Sequence, residues 1–315
     1  MVVEEEQDGA FTCDGCDRNF NSDEVSFEDV YFPKTLKLPP PTVETPNDNY
    51  GISRKAYEHV IVMVHGIRDV GAWQKTVSSA LAAPKTEVVQ FRFGLYPAIK
   101  FLFPRNLSGP AVQRVVEKFR DVKAEYPNAK ISVIAHSFGT YVVLKALEKD
   151  LNLRLWKIVF CGSVANDQIR WVKFKNRIGD GERPTRDFVV NDCGTGDVWP
   201  IFGSAFGWHY GMAGATGFSE EMVLNRFHKK PDGTSGGHGL YFDSEFVTKY
   251  WKPFLIDDIA PLAGTGSQGE HLGFFAKVLY HGWLRWICRL TALLVWFALI
   301  AAIPLAGWLL YRCCF

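Results

Sequence analysis

The sequence predicts an α/β fold in which a mostly parallel sheet is covered by helices on both faces. Short apolar runs alternate along the chain with longer segments of helical periodicity. The runs are apolar throughout and lack two-residue alternation, which is typical of strands buried on both faces of a parallel sheet. The predicted strands are 59–66, 87–93, 130–137, 155–163, 187–192 and, more weakly, 221–229. The predicted helices are 73–83, 111–127, 138–150 and 242–255.

Each element has its own local signal. The strand at 59–66 is the apolar run HVIVMV followed by His-Gly, and the strand at 130–137 is KISVIAHS. The helix at 111–127 spaces its apolar residues three and four positions apart, so they share one face. That face comprises Val112, Val115, Val116, Phe119 and Val122. The last helix, 242–255, follows a glycine-rich loop.

The composition is that of a folded protein with a sizeable core and no charge bias. Of the 315 residues, 47% are hydrophobic, and the formal net charge is +1. This balance gives no electrostatic basis for binding nucleic acid, so we expect none. The seven cysteines are scattered, which argues against a secreted disulfide framework and favours reduced thiols.

The N-terminal region lacks a periodic apolar pattern. It has an acidic start, three prolines at 39–41 and the polar stretch ETPNDNYG, so we expect a poorly structured segment over 1–54. Cys13 and Cys16 form a CxxC pair, but no second pair lies at a spacing suited to zinc, and we expect no metal. The folded α/β domain is expected over 55–262.

The C-terminal region has the pattern of a membrane anchor. Residues 290–311 carry no charge, and a helix of this length extends about 33 Å, enough to cross a hydrocarbon core of about 30 Å. The preceding segment, 263–289, mixes aromatic and basic residues, as an interfacial linker does. After the uncharged stretch, Arg312 is the only basic residue in the sequence. We therefore expect a single transmembrane helix with the N-terminal body in the cytoplasm. Cys313 and Cys314 are either unmodified thiols or sites of acylation.

Ser137 lies where a predicted strand meets a predicted helix. The residues two before and two after it, Ala135 and Gly139, are both small. Tight packing alone would explain small residues at this point. A nucleophile exposed on a sharp turn would explain both the small residues and the hydroxyl between them.

A serine hydroxyl needs a base to become a nucleophile, and the base needs an orienting acid. His238 lies in the glycine-rich loop between the last strand and the last helix and is the favoured base, with His228 as the alternative. The acid is expected after the strand at 187–192. Asp197, on the turn CGTGDVWP, is favoured there, and Asp192 is the alternative.

Two backbone amides are candidate donors to an oxyanion. The Phe138 amide opens the helix that follows the serine, where amides favour negative charge. The His-Gly pair after the first strand allows close approach of its loop, and the Ile67 amide is the second candidate. The histidine of that pair, His65, is expected to brace the loop, and the side chain of His136 is expected to point away from the site.

The order Ser137, Asp197, His238, together with the His-Gly loop, resembles the α/β-hydrolase superfamily and, within it, lipase- and esterase-like serine hydrolases. The likeness spans roughly 55–260. It departs from the Gly-x-Ser-x-Gly motif of that family because Ala135 holds the first position, and the family's first two strands are not evident upstream. The resemblance implies an α/β-hydrolase fold, ester substrates, and catalysis without a metal or organic cofactor.

These features together predict a membrane-anchored serine hydrolase that cleaves carboxylic esters, including lipid esters. Apolar, aromatic stretches at 91–110 and 199–218 either line its substrate pocket or pack in the core as long loops. A thioesterase with the same three residues is one alternative, and a tethered hydrolase-like interaction module without turnover is the other. The sequence does not indicate the acyl length, the leaving group or the oligomeric state.

Overall fold

The computed structural model describes residues 10–12, 19–21, 57–66, 72–91, 108–280 and 282–314. The chain forms two units, Met1–Arg54 and Lys55–Phe315. In the first unit, β1 (Ala10–Thr12) and β2 (Asn19–Asn21) pair antiparallel. Cys13 and Cys16 lie outside the described residues.

A six-stranded sheet forms the centre of the second unit. Its strands are β3 (His59–Val64), β4 (Thr86–Phe91), β5 (Lys130–His136), β6 (Ile158–Cys161), β7 (Val189–Gly194) and β8 (Leu224–His228). Their order across the sheet is β4-β3-β5-β6-β7-β8, and every neighbouring pair is parallel. The predicted parallel sheet is therefore confirmed, with one strand at each predicted position.

Helices connect and cover these strands. They are α1 (Ala72–Ala80), α2 (Gly109–Glu125), α3 (Phe138–Lys149), α4 (Trp199–Phe206), α5 (Ala213–Thr216), α6 (the consecutive segments Ser244–Phe246, Val247–Trp251 and Lys252–Leu255), α7 (Phe274–Tyr280) and α8 (Gly282–Cys314). Short 3-10 turns lie at Trp171–Arg177, Thr185–Asp187 and Leu240–Phe242. The middle segment of α6 is a π-helical turn.

The sheet separates two apolar layers. Along β3, Val62 and Val64 pack with α2 and α3 on one face, while Ile61 and Met63 pack with α1 and α6 on the other. All five apolar residues of the predicted face of α2 are buried, as expected. Burying each such side chain contributes roughly 1.5–3 kcal/mol, which holds α2 against the sheet.

The strand order creates a crevice beside β3. The chain passes from β3 to β4 on one side and then, after α2, to β5 on the other side. In open parallel sheets, the loops diverge at such a switch point and leave room for a ligand beyond the carboxyl ends of the strands. The loop after β3 begins with His65 and Gly66, and Ser137 directly follows β5.

The C-terminal helix α8 contains the stretch predicted to cross a membrane, 290–311. Within the described part of the chain, no helix combines the length and the apolar character that a membrane span requires. The predicted transmembrane helix is therefore not supported. The predicted linker, 263–289, contains α7 and the start of α8, and both of these helices pack against α4.

Asp192, on β7, is the centre of a buried polar cluster. Its carboxylate accepts two hydrogen bonds from Arg226 at 2.7 and 2.8 Å, one from His228 Nε2 at 2.7 Å and one from Trp251 Nε1 at 2.8 Å. Burial by itself raises the pKa of a carboxyl group, but Arg226 and His228 hold the pKa of Asp192 below its ordinary value. The side chain is therefore ionised and fully paired.

Replacing Asp192 with asparagine leaves Arg226 buried without a counter-charge. We expect the free energy of unfolding at pH 7 to fall by about 3–5 kcal/mol. Asp121→Asn, the same change on an exposed face of α2, should alter it by less than about 0.5 kcal/mol. Urea unfolding measures both variants, and equal midpoints for them would contradict the assignment.

The pH dependence of this difference follows from the depressed pKa of Asp192 in the folded state. The stabilisation by the ionised carboxylate is complete above the unfolded-state pKa of about 3.9 and is lost as the pH falls towards the folded-state pKa. The gap between wild type and Asp192→Asn should therefore be smaller at pH 3 than at pH 7.

Candidate active site

Ser137 is the residue between β5 and α3, and its backbone is strained. Its φ of 53° and ψ of −122° lie in a region that residues other than glycine rarely adopt, at a cost of about 1–3 kcal/mol. The Ser137 amide donates to Cys161 O at 3.0 Å, and its carbonyl oxygen accepts from the amide and hydroxyl of Thr140 at 3.0 and 2.7 Å. These bonds hold the sharp turn that presents the hydroxyl beyond the end of the sheet.

The turn depends on close backbone approach from the loop after β3. A Cβ added at Gly139 would lie 2.5 Å from Val64 O and 2.8 Å from His65 O, so position 139 has no room for a side chain. A Cβ added at Gly66 would lie 2.9 Å from Ser137 Cβ and 3.4 Å from Ser137 Oγ. The loops after β3 and β5 therefore meet at the serine hydroxyl.

The favoured base and acid, His238 and Asp197, form a hydrogen-bonded pair. His238 Nδ1 lies 2.8 Å from Asp197 Oδ2, and the Trp199 amide donates to Asp197 Oδ1 at 3.1 Å. The side chain of Asp197 is fully buried, whereas 21% of the His238 side chain is exposed. A buried carboxylate on Nδ1 orients the ring and leaves Nε2 for proton transfer. The catalytic roles of these two residues remain predictions.

The alternative residues are engaged in the core. His228 donates its Nε2 proton to Asp192, its side chain is almost fully buried, and its ring packs edge-on against Phe246 and Tyr250. Asp192 is already saturated by Arg226 and its other donors. The two aspartate–histidine pairs thus differ in environment, because both side chains of the first are buried whereas the imidazole of the second is partly exposed.

His238 lies next to the turn that carries Ser137. The centre of its ring is 4.5 Å from the centre of the ring of His136, the residue before the serine. A Cβ added at Gly162, which follows β6, would lie 2.8 Å from both Cε1 and Nδ1 of His238. Cys161, which precedes Gly162, accepts from the Ser137 amide. The imidazole therefore lies against the end of the strand that is hydrogen-bonded to Ser137.

His136 contributes to the site in a way that sequence reasoning missed. The expectation that its side chain points away is wrong, because its Nε2 donates to the His238 carbonyl oxygen at 3.2 Å and the two rings are in contact. Burial, together with the neighbouring His238, holds the pKa of His136 well below its ordinary value. His136 is therefore neutral at pH 7 and does not compete for a proton. No local sequence pattern predicts this contact, because the two residues are 102 positions apart in the chain.

Gly162 is the second residue that sequence reasoning missed. It has a φ of 54°, which favours glycine, and it lies directly under the imidazole. The signal that could have found it is its position: it lies at the end of a predicted apolar run, as Gly66 and Ser137 do.

One of the two candidate oxyanion donors lies in the described structure. Phe138 is the first residue of α3, so its amide lies at the N-terminal end of the helix beside the serine. Ile67 lies outside the described residues. The start of its loop is braced by His65, whose Nδ1 donates to Gly66 O at 2.7 Å.

Of the two apolar stretches considered as walls of a substrate pocket, the structure describes one fully and the other only at its ends. Most of 91–110 lies outside the described residues, whereas 199–218 forms α4, α5 and their connections. Among the described side chains, no group of three or more histidine, cysteine, aspartate or glutamate residues has the arrangement of a metal site.

No family model and no curated protein matches this chain. Similar solved structures include a cutinase-like protein from Cryptococcus sp., with 15% identity over 66% of this chain and 98% of that chain and a TM-score of 0.36. They also include lipase B of Aspergillus fumigatus, with 14% identity over 76% and 63% and a TM-score of 0.41. An uncharacterised protein from Bacillus cereus has 11% identity over 74% and 67% and a TM-score of 0.44.

Gly162→Ala tests the placement of the imidazole. The new Cβ would displace His238, and for the ester hydrolysis that the sequence predicts, a shift of about 1 Å should lower kcat/KM for a p-nitrophenyl ester by about 100-fold. Gly181→Ala is the matched control, because Gly181 also has a positive φ but no atom lies within 4 Å of an added Cβ. Equal losses in the two variants would show that backbone strain, not the position of His238, is responsible.

Proposed function

We propose that this protein is a serine hydrolase that cleaves carboxylic esters through an acyl-enzyme. The observation that carries the proposal is the strained turn at Ser137, at the carboxyl end of the sheet, where Asp197 and His238 are paired. Strained backbone at a polar residue is often retained where it serves function, and the residue before this serine, His136, is in ring contact with His238.

In the first half of the reaction, Ser137 Oγ attacks the carbonyl carbon of the ester. His238 Nε2 takes the hydroxyl proton and then gives it to the departing alcohol, so that an acyl group remains on the serine. Asp197 accepts from His238 Nδ1, which fixes the tautomer and stabilises the ring while it is positively charged.

The second half repeats these proton transfers with water as the nucleophile. The negative charge that develops on the carbonyl oxygen is stabilised by backbone amides, for which Phe138 and Ile67 are the candidates. Each such donor contributes about 3–4 kcal/mol of transition-state stabilisation in hydrolases where it has been removed. His136 supports the backbone of His238 through its hydrogen bond to the His238 carbonyl oxygen.

A fluorophosphonate that reacts with activated serines tests the proposal. We expect one adduct on the peptide that contains Ser137, no adduct in Ser137→Ala, and unchanged labelling in Ser79→Ala, which alters an exposed serine of α1. Asp197→Asn should slow ester hydrolysis by up to about 10⁴-fold, because the ring then holds the wrong tautomer.

The outcomes separate the rival functions. If the folded wild type neither labels nor hydrolyses any ester, the proposal fails and a scaffold without turnover remains. Comparing p-nitrophenyl esters of graded chain length with acyl thioesters of the same lengths distinguishes an esterase from a thioesterase.

Membrane association is a separate proposal, supported by the apolar exposure of α8. Its large exposed side chains include Trp283, Leu290, Leu294 and Phe297, and basic residues precede them. We propose that α8 holds the protein at a membrane, with the hydrolase domain on the cytoplasmic side.

Two arginines introduced into α8 test this association in the full chain. Exposed apolar side chains bind a helix to the membrane interface, so replacing two of them with charged ones in Leu294→Arg with Phe297→Arg should move the protein from the membrane pellet to the supernatant. Leu151→Arg with Val172→Arg adds the same charge at exposed apolar positions elsewhere and should not. A wild type that never pellets, or a double α8 variant that still does, would contradict the proposal.

A further inference from the structure

A polar cavity separate from the candidate active-site residues lies where α8 meets the domain. It has a volume of about 430 Å³, and its walls include Gln168, Ser204, Trp208, Arg285 and Arg289. This volume is within the range of small-molecule sites, and it exceeds that of a single phosphate.

The two arginines are one helical turn apart and are both fixed to α4. Arg285 Nη1 donates to Ser204 Oγ at 3.1 Å, and Arg289 Nη2 donates to Ser204 O at 2.8 Å. Arg289 also lies over the ring of Trp286, at 5.7 Å from its centre. These contacts hold the guanidinium groups at the cavity wall, although long basic side chains on a surface helix usually extend into water.

The positive charge of this pair is not neutralised locally. Over the described ranges of the chain, neither Arg285 nor Arg289 forms an ion pair with a carboxylate. Asp167 also lines the cavity, where its carboxylate accepts from the neutral Gln168 amide at 2.9 Å, so the described wall carries one carboxylate against two guanidinium groups. Partial burial, together with the neighbouring Arg285, lowers the pKa of Arg289, as expected when two cations are held close together.

Two further donors at the cavity lack acceptors. Arg289 Nε and Trp208 Nε1 are buried and have no hydrogen-bond partner among the described residues. Buried N–H groups without an acceptor are costly and therefore rare, so two of them beside two guanidinium groups favour a ligand that accepts hydrogen bonds and carries negative charge.

We propose that this cavity binds the phosphate group of a phosphorylated ligand, with Arg285, Arg289 and Trp208 as its donors. The planar guanidinium group matches the oxygen geometry of phosphate and forms charge-assisted hydrogen bonds with it. The remaining volume accommodates the group that carries the phosphate. Both a soluble phosphate ester and a phospholipid headgroup present this chemistry. This phosphate-site proposal does not depend on the proposed ester hydrolysis.

Calorimetric titration of the full-length protein at low ionic strength tests the proposal, with inorganic phosphate and glycerol 3-phosphate as the probes. Arg289→Gln is expected to weaken binding by about tenfold or more, because it removes a charge-assisted contact. Arg186→Gln removes the same charge from an exposed position in a 3-10 turn and should leave the affinity unchanged.

Vesicles distinguish the source of the phosphate. Sedimentation with vesicles of phosphatidylcholine, with and without phosphatidic acid, should show binding that depends on both phosphatidic acid and Arg289 if the ligand is a lipid. Binding of glycerol 3-phosphate that depends on Arg289, without such vesicle binding, indicates a soluble ligand.

Two results would overturn the inference. One is a wild type that binds none of these probes, and the other is loss of affinity that is equal in Arg289→Gln and Arg186→Gln. If Arg289→Gln fails to fold, Trp208→Phe removes only the indole donor and should still weaken binding several-fold, whereas unchanged affinity in that variant would count against the site.

Discussion

The candidate site depends on one strained residue at the switch point of the sheet. Ser137 keeps a positive φ because the β5–β6 ladder and the first turn of α3 bind its amide and its carbonyl from opposite sides. Carbonyl oxygens of Val64 and His65 leave no space for a side chain at Gly139, and the Ser137 side chain crowds the position of a Cβ at Gly66. The hydroxyl is thus placed by the packing of three strand ends and not by its own side-chain contacts.

Two aspartate–histidine pairs at the β7–β8 side of the sheet show how environment divides similar groups. Asp192 and His228 are enclosed with Arg226, and the hydrogen bonds to Asp192 join two strands and α6. Asp197 and His238 lie further along the loops, where the imidazole keeps partial access to solvent. A proton acceptor must be reachable, so accessibility favours the second pair for chemistry and the first for stability.

The C-terminal helix α8 combines polar contacts to the domain with an exposed apolar surface. The start of α8 carries arginines that bond to α4, while its exposed side chains are apolar. Both α7 and α8 pack on α4, which lies in the segment between Asp197 and His238. A small apolar cluster at this contact includes Ile201, Leu272 and Ala276. The predicted linker, 263–289, contains α7 and the start of α8.

The sequence by itself determined the parallel sheet, the positions of its strands and the strand-to-helix turn at Ser137, because these follow from local apolar periodicity and small residues near one serine. Only the tertiary structure decided which aspartate pairs with which histidine, that His136 supports His238, and that Gly162 lies under the imidazole. Those contacts join residues far apart in the chain, and their geometry depends on strand order and loop packing. Neither of these is encoded in any short segment.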